Sequence, residues 1–370
     1  MFVVVIYGGK NTKTYSITLT NSSNVNENFG SHVVLFSIFA LSFSYLMIAL
    51  MRTAPESFIK GANYALICFN LIGMMICFLN GILFLGIIFM LQGFIIGYFF
   101  YIAQPYIPFS TMLLKTSTEI LNDNKSILLI PLLGLLYAAF YSVFLLYAMS
   151  PFVEKLNNNE SGGMVILVFI FLFFWTQQVV SNIVHVTTAG LVGKWYYRNT
   201  DTSSIVWKSF KRSVTKSFGS VCFGSLIVAV IKTIQFIIRM ARSNSDNTLV
   251  MCCLDCVISC FEQIVEYFNE YAYAYVGIYG LSYVESAKKT WEMAKGNFLT
   301  ALFNDNLIYP VLLFSNLFIG IFTGIISWLM SGSLFTALAS GILGFAIASI
   351  VTNLVHSAIV ALFVCCIEDF

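Results

Sequence analysis

Trp175, Gln178, Asn182 and His185 stand at i, i+3, i+7 and i+10 in the otherwise apolar run 163–190. On an α-helix these offsets share one face, so the run carries a single polar stripe. Two chemistries fit it, and the residues leave both open. Polar side chains on a membrane helix hydrogen-bond to neighbouring helices, or they line a path for a polar solute. Histidine titrates near neutral pH, which makes His185 a proton-coupling candidate.

A second constellation lies in "CCLDCVISCFEQIVEYFNEYAYAYVGIYG", residues 252–280. Glu262, Glu266, Asn269 and Tyr273 fall at i, i+4, i+7 and i+11, again one helical face. Carboxylates at membrane depth are costly and face the bundle interior or water. Either they pair with Lys232 and Arg239 of the preceding apolar run, or they attract an organic cation or carry protons. Tyr271, Tyr273, Tyr275, Tyr279 and Tyr283 repeat with a period nearer two than 3.6. They cannot share one helical face, so some are expected inside and others at the membrane interface. Tyr137 and Tyr141, at i and i+4 in the run 125–149, add further rings. Aromatic faces recognise quaternary ammonium ions. With 36 Phe and 19 Tyr in the chain, though, ring clusters also arise without a ligand.

Cys252, Cys253, Cys256 and Cys260 contain one C-x2-C spacing, with no second knuckle and no His pair. Structural zinc sites carry both halves, so no metal site is expected. "GLVGKW" at 190–195 is too short for a phosphate-binding loop and lacks Ser or Thr after Lys194. Neither G-x-S-x-G nor H-E-x-x-H occurs. The sequence therefore points to no enzyme and no cofactor.

These residues need elements that hold them in lipid. The chain is 59% hydrophobic and only 10% charged, whereas soluble domains carry about 25% charged residues. Apolar runs long enough to span sit at 33–51, 59–79, 82–103, 125–149, 163–190, 217–240, 306–330 and 335–365. The segment 191–216 holds Lys194, Arg198, Lys208, Lys211, Arg212 and Lys216 against one acid, Asp201, which marks it as cytoplasmic. The segment 285–305, with Lys288, Lys289 and Lys295, is basic as well. The run 217–240 leaves the first of these basic segments, so one more crossing is needed, and only 255–282 supplies it. That makes nine spans. Arg239 and Arg242 then lie at the outer end, within reach of the interface on their long stems. Segments 104–124 and 203–216 are amphipathic and read as interfacial or half-inserted helices; in the latter Ile205, Trp207, Phe210 and Val214 form the apolar side. Gly219, Gly224, Gly341 and Gly344 suit close helix packing. The basic-poor outer segments carry N-x-S glycosylation sequons at Asn21 and Asn159. They contain no cysteine, so a disulfide framework is not expected. A net charge of +2, without charge blocks, gives no sign of nucleic-acid binding.

Several segments together resemble the choline transporter-like solute-carrier family. "FFWTQQVVSNIVHVTTAGLVGKWYY" is similar to its W-T-x-Q…AG…WY segment, and "RSVTKSFGSVCFGSLIVAVIKTIQFIIR" to its S-x-G-S-x-x-x-G-S-L segment. The Cys-rich stretch, with its N-x-x-A-Y, I-Y-G and S-A-K continuation, "LFNDNLI" and the terminal "ALFVCCIED" follow in the family's order, covering roughly 100–370. The short first outside loop resembles the fungal, pH-nine-sensitive branch most. The resemblance implies a ten-helix protein with both termini cytoplasmic, of whose first helix "MFVVVIYGG" looks like a remnant. It also implies facilitated uptake of choline or a similar cation, often coupled to proton exchange. Matching positions include Trp175, Gln178, Gly190, Ser225, Glu262, Asn269, Tyr273, Gly280 and Asn306.

The expectation is an all-α, polytopic plasma-membrane protein. It forms one transporter domain over 1–370, with about nine spans plus amphipathic interfacial helices. Its partners are a choline-like organic cation and membrane lipids, and its mechanism is alternating access. Trp175, Gln178, Asn182, Glu262, Glu266, Tyr273, Tyr137 and Tyr141 are the expected substrate-binding set. A channel, or a non-transporting membrane scaffold or stress-related protein, remains the alternative.

Overall fold

The structure, a computed structural model, describes residues 29–155, 161–197, 205–243 and 248–369. The opening stretch and both sequon asparagines, Asn21 and Asn159, lie outside the described residues. Every regular element among the described residues is helical: α1 (Phe29–Thr53), α2 (Pro55–Leu79), α3 (Leu83–Ala103), α4 (Ile107–Asp123), α5 (Leu129–Lys155), α6 (Ser161–Tyr196), α7 (Ile205–Thr215), α8 (Phe218–Ser243), α9 (Thr248–Tyr279), α10 (Tyr283–Ser331) and α11 (Leu334–Glu368), with short 3-10 turns at Gln104–Tyr106 and Lys125–Leu128. In lipid a helix satisfies its own backbone polar groups, which is why such an apolar chain takes this form throughout.

Among the described residues, eight segments are long and apolar enough to cross a bilayer. The expected ninth is α9, whose composition hides it because Asp255, Glu262, Glu266 and Glu270 interrupt the apolar run. It runs antiparallel to α8. Arg239 of α8 meets Asp255 at 3.1 Å, Lys232 meets Glu266 at 2.8 Å, and the Val221 carbonyl accepts from the Tyr273 hydroxyl at 3.2 Å. Arg242 also reaches Asp255, at 3.6 Å, so both arginines at the end of α8 are held by one carboxylate.

The central helix is α11, which packs against α1, α4, α6, α9 and α10. Its stretch from Val355 to Cys366 is buried almost without a break. Helix α10 has 49 residues. At 1.5 Å per residue that is about 74 Å, more than twice the hydrocarbon thickness. Its first half carries Glu285, Lys288, Lys289, Glu292 and Lys295 and belongs in the interface and water. Its second half is the span. The sequence suggested a basic segment and a separate span; the structure fuses them behind a capping box formed by Ser282 and Glu285.

Several details depart from expectation. Helix α4 is more than an interfacial helix: it buries Leu113, Leu114, Ser117, Thr118, Ile120 and Leu121 against α1, α2, α10 and α11. On α7 the buried side is Ile205, Val206, Ser209 and Ser213, and Trp207 is exposed. Tyr271, Tyr273 and Tyr275 are all interior. They can be, because α9 is surrounded there by α6, α8, α10 and α11. Each hydroxyl finds its own partner: Asp305 for Tyr271, the Val221 carbonyl for Tyr273, Glu368 for Tyr275. Gly224, Gly341 and Gly344 do sit at close helix contacts, but a Cβ on Gly219 would meet nothing within 4 Å. Its expected packing role is not realised.

Backbone meets backbone closely between α6 and α9. A Cβ on Gly277 would lie 2.6 Å from the Val186 carbonyl and 2.7 Å from the Ala189 side chain. Backbone cannot move aside cheaply in a packed core. Gly277→Ala should therefore destabilise the purified protein by about 1–3 kcal/mol, read as a lowered melting temperature in detergent. Gly219→Ala should be neutral or stabilise by less than about 1 kcal/mol.

Candidate functional site

Helix α6 packs against α5, α8, α9 and α11, and Gln178, Asn182 and His185 of its polar stripe face a cavity of about 470 Å³ between these helices. Gln177, Gln178, Ser181, Asn182 and His185 line it from α6, Lys232 from α8, Glu266, Asn269, Glu270 and Tyr273 from α9, and Asn353, His356 and Ser357 from α11. Pro131, Gly134, Leu135 and Ala138 of α5 form its apolar wall.

Lys232 organises one end. Its ammonium donates to Glu266 at 2.8 Å and to the Gln178 side-chain oxygen at 3.3 Å, and it stands 3.7 Å from Glu262. Glu262 also accepts from the Gln235 amide and lies outside the cavity lining. Pairing with Lys232 is thus realised for both expected carboxylates, while Arg239 serves Asp255 instead.

The middle is a hydrogen-bonded chain joining α6, α8 and α9. The Asn182 amide donates to Ser225 at 2.9 Å, Ser225 meets the Tyr273 hydroxyl at 3.4 Å, and that hydroxyl donates to the Val221 carbonyl. The Tyr283 hydroxyl donates to the Asn269 side-chain oxygen, which leaves Asn269 Nδ2 buried on the cavity wall without a partner. Such a donor is costly unless something bonds to it.

The far end belongs to His185. Its Nε2 lies 2.8 Å from the Glu270 backbone carbonyl, so Nε2 carries a proton and donates. Its Nδ1 lies 2.8 Å from the Ser357 hydroxyl, which can turn to donate or to accept. The ring therefore keeps both bonds whether neutral or protonated. The Glu270 carboxylate stands 4.0 Å from His356 Nδ1. With the histidines neutral, the lining carries one cation, Lys232, and two carboxylates, Glu266 and Glu270.

Of the expected residues, Gln178, Asn182, His185, Glu266 and Tyr273 come together here. The aromatic cluster does not. Trp175 and Tyr137 line a separate apolar cleft between α5, α6 and α8, and the Trp175 indole donates to the Cys222 carbonyl at 3.1 Å. Tyr141 stacks on Tyr137 with ring centroids 6.1 Å apart and lines neither space. Cys252, Cys253, Cys256 and Cys260 are free and exposed on the first half of α9. The sequence reading missed Glu270, Asn353, His356 and Ser357. The last three stand at i, i+3 and i+4 in a long apolar helix, the same signal that marked α6.

Comparison with known proteins agrees with this architecture. The family model described as "Plasma-membrane choline transporter" matches residues 87–370. Protein PNS1 of Eremothecium gossypii is 35% identical over 272 residues, 66% of this chain and 49% of that protein. Protein PNS1 of Gibberella zeae is 30% identical over 93% of this chain and 70% of its own length. A CTL-like protein of Dictyostelium discoideum is 30% identical over 93% of this chain and 65% of its own length. The chain spans about half to seven-tenths of the length of these relatives. With the polar cavity held by the helices that the family model covers, the chain belongs to the choline transporter-like family and is similar to the fungal PNS1 proteins.

Proposed function

We propose that this chain carries choline or a similar small organic cation across the plasma membrane by alternating access, with the α5–α6–α8–α9–α11 cavity as the binding site. The observation that supports it most is the charge of the lining: two carboxylates face one ammonium, and that ammonium is taken up by Glu266. Glu270 is left as the counter-charge for a ligand. Carboxylates at this depth are expensive, and a cationic solute offsets that cost each time it binds.

Asn269 Nδ2 suits a ligand hydroxyl, the second polar feature of choline. Tyr273 offers one ring face, while Gln178 and Asn182 supply amides. Trp175, Tyr137, Tyr141 and Glu262 act one layer out: the rings brace α5 and α8 against α6, and Glu262 shares Lys232. His185 serves as the proton-coupling group, since both of its hydrogen bonds survive a change of charge. The basic ends of α6 and α10 face the cytoplasm by the positive-inside rule, and Asn21 and Asn159 would be glycosylated outside.

Labelled-choline uptake into proteoliposomes holding the purified chain, with and without a pH gradient, tests this. Saturable uptake is expected. Glu270→Gln should lower kcat/KM about tenfold or more, the effect of losing one interaction of about 1.4 kcal/mol, with the melting temperature little changed. Trp175→Phe should stay within about twofold of the parent. Conductance without saturation would favour a channel, and no uptake by folded protein would favour a scaffold. Full activity of Glu270→Gln would remove the carboxylate from the site.

A further inference from the structure

The apolar cleft beside the polar cavity is a site of its own. It measures about 490 Å³ and lies between α5, α6 and α8. Its walls include Leu133, Tyr137, Trp175, Val179, Ile183 and Cys222, and no charged residue lines it. Phe210 and Val214 of α7 and Phe218 at the start of α8 line one end of it. Gly134, Val180 and Val184 line both this cleft and the polar cavity, so a single layer of side chains separates them.

Helix α7 gives the mouth of the cleft a charge. Its sequence, IVWKSFKRSVT, holds three basic residues and no acid, and Lys216 follows it. Its buried side, Val206, Ser209 and Ser213, docks on the bundle, where Thr187 donates to Ser213 and Ser209 packs near Gly190. At about 100° per residue, Phe210 and Val214 come next around the helix, and Trp207 and Lys211 come after them. Trp207 is 61% exposed, with its ring 5.3 Å from Phe210, and Lys211 is exposed. The order around α7 is therefore bundle contact, cleft, then an indole and an ammonium facing outward. Trp and Lys in that arrangement mark the headgroup layer. Five of the basic residues between 191 and 216 lie at this end of the bundle, and basic ends face the cytoplasmic leaflet, whose surface is anionic.

We infer that this cleft is a binding site for an anionic phospholipid of the cytoplasmic leaflet. An acyl chain lies between α5 and α8 on the face of α6, and the phosphate and acidic headgroup meet Lys211 and the exposed face of α7. A neutral apolar solute would fit the slot but gain nothing from the basic mouth. The organic cation proposed for the neighbouring cavity would be repelled by that mouth. The bound lipid would support the thin wall of Gly134, Val180 and Val184 from behind.

The full chain in nanodiscs of phosphatidylcholine, doped with a phosphatidylserine that carries a photoreactive acyl chain, tests the site. Adducts mapped by peptide mass spectrometry are expected on 175–183 and 210–222. Unlabelled phosphatidylserine should compete for them and unlabelled phosphatidylcholine should not. Lys211→Glu should cut the adduct yield about fivefold or more through the headgroup, and Val179→Trp should do so by filling the slot. An unchanged melting temperature would show that both variants fold; if Val179→Trp does not, Lys211→Glu decides. Adducts scattered over all lipid-facing helices, equal competition by phosphatidylcholine, or no effect of Lys211→Glu would overturn the proposal. Displacement by a sterol alone would assign the cleft to a sterol, and loss of labelling in a dimer seen by native mass spectrometry would assign it to a second copy. Either result would also overturn it.

Discussion

The ion pairs of Lys232 with Glu266 and Glu262 are what allow α9 to stand inside the bundle. A helix carrying four acids would not enter lipid alone, because a charge at bilayer depth costs several kcal/mol even by the lower scales. Lys232 supplies a counter-charge on α8, and Arg239 and Arg242 supply more at the end of that helix, where Asp255 receives both. With those charges matched, the α8–α9 hairpin forms. The remainder of α9 can then bring Tyr271, Tyr273 and Tyr275 into contact with four other helices.

The same pairing shapes the cavity. Removing one partner of these part-buried pairs would leave an uncompensated charge. Here they fix the register of α8 on α9, and that register sets Ser225 between Asn182 and Tyr273. The close approach at Gly277 fixes α6 against α9 in the same way. Glu270, which is not drawn into the Lys232 cluster, then faces the cavity as a carboxylate with His356 4.0 Å away and no lysine or arginine beside it among the described residues. The proposed cation binding follows from this imbalance of charge, and an aromatic cage is not required for it.

Much of this was legible in the sequence. Hydrophobic runs located eight spans, and loop charge demanded the return crossing that hydropathy hides. Helical spacing gathered Gln178, Asn182 and His185 on one face and Glu266 and Tyr273 on another, and both faces meet in the cavity. Three things were not legible. Ring positions such as Trp175, Tyr137 and Tyr141 look alike whether they face lipid, a cleft or a ligand, because an aromatic side chain is at home in all three. The spacing of the tyrosines suggested a split between interior and interface, and Tyr279 is 39% exposed, but which of them go inside was not legible: Tyr271, Tyr273 and Tyr275 are all buried because four helices enclose α9 there. Glu270 continues the Glu262–Glu266 stripe at i+8, but nothing in that spacing told that α11 would bring His356 and Ser357 to it.

The central claim is that these polar groups surround a solute-accessible space of net negative character inside the bundle. Gln178→Cys, compared with the lipid-facing control Val168→Cys (Val168 is 56% exposed), tests it most directly. Modification by cationic and anionic methanethiosulfonate reagents would be read at each introduced residue by peptide mass spectrometry, so the native cysteines do not interfere. The account predicts reaction at 178 but not at 168. It also predicts a rate about tenfold faster for the cationic reagent and slowed by excess choline. No reaction at 178, or equal rates with both reagents, would contradict it.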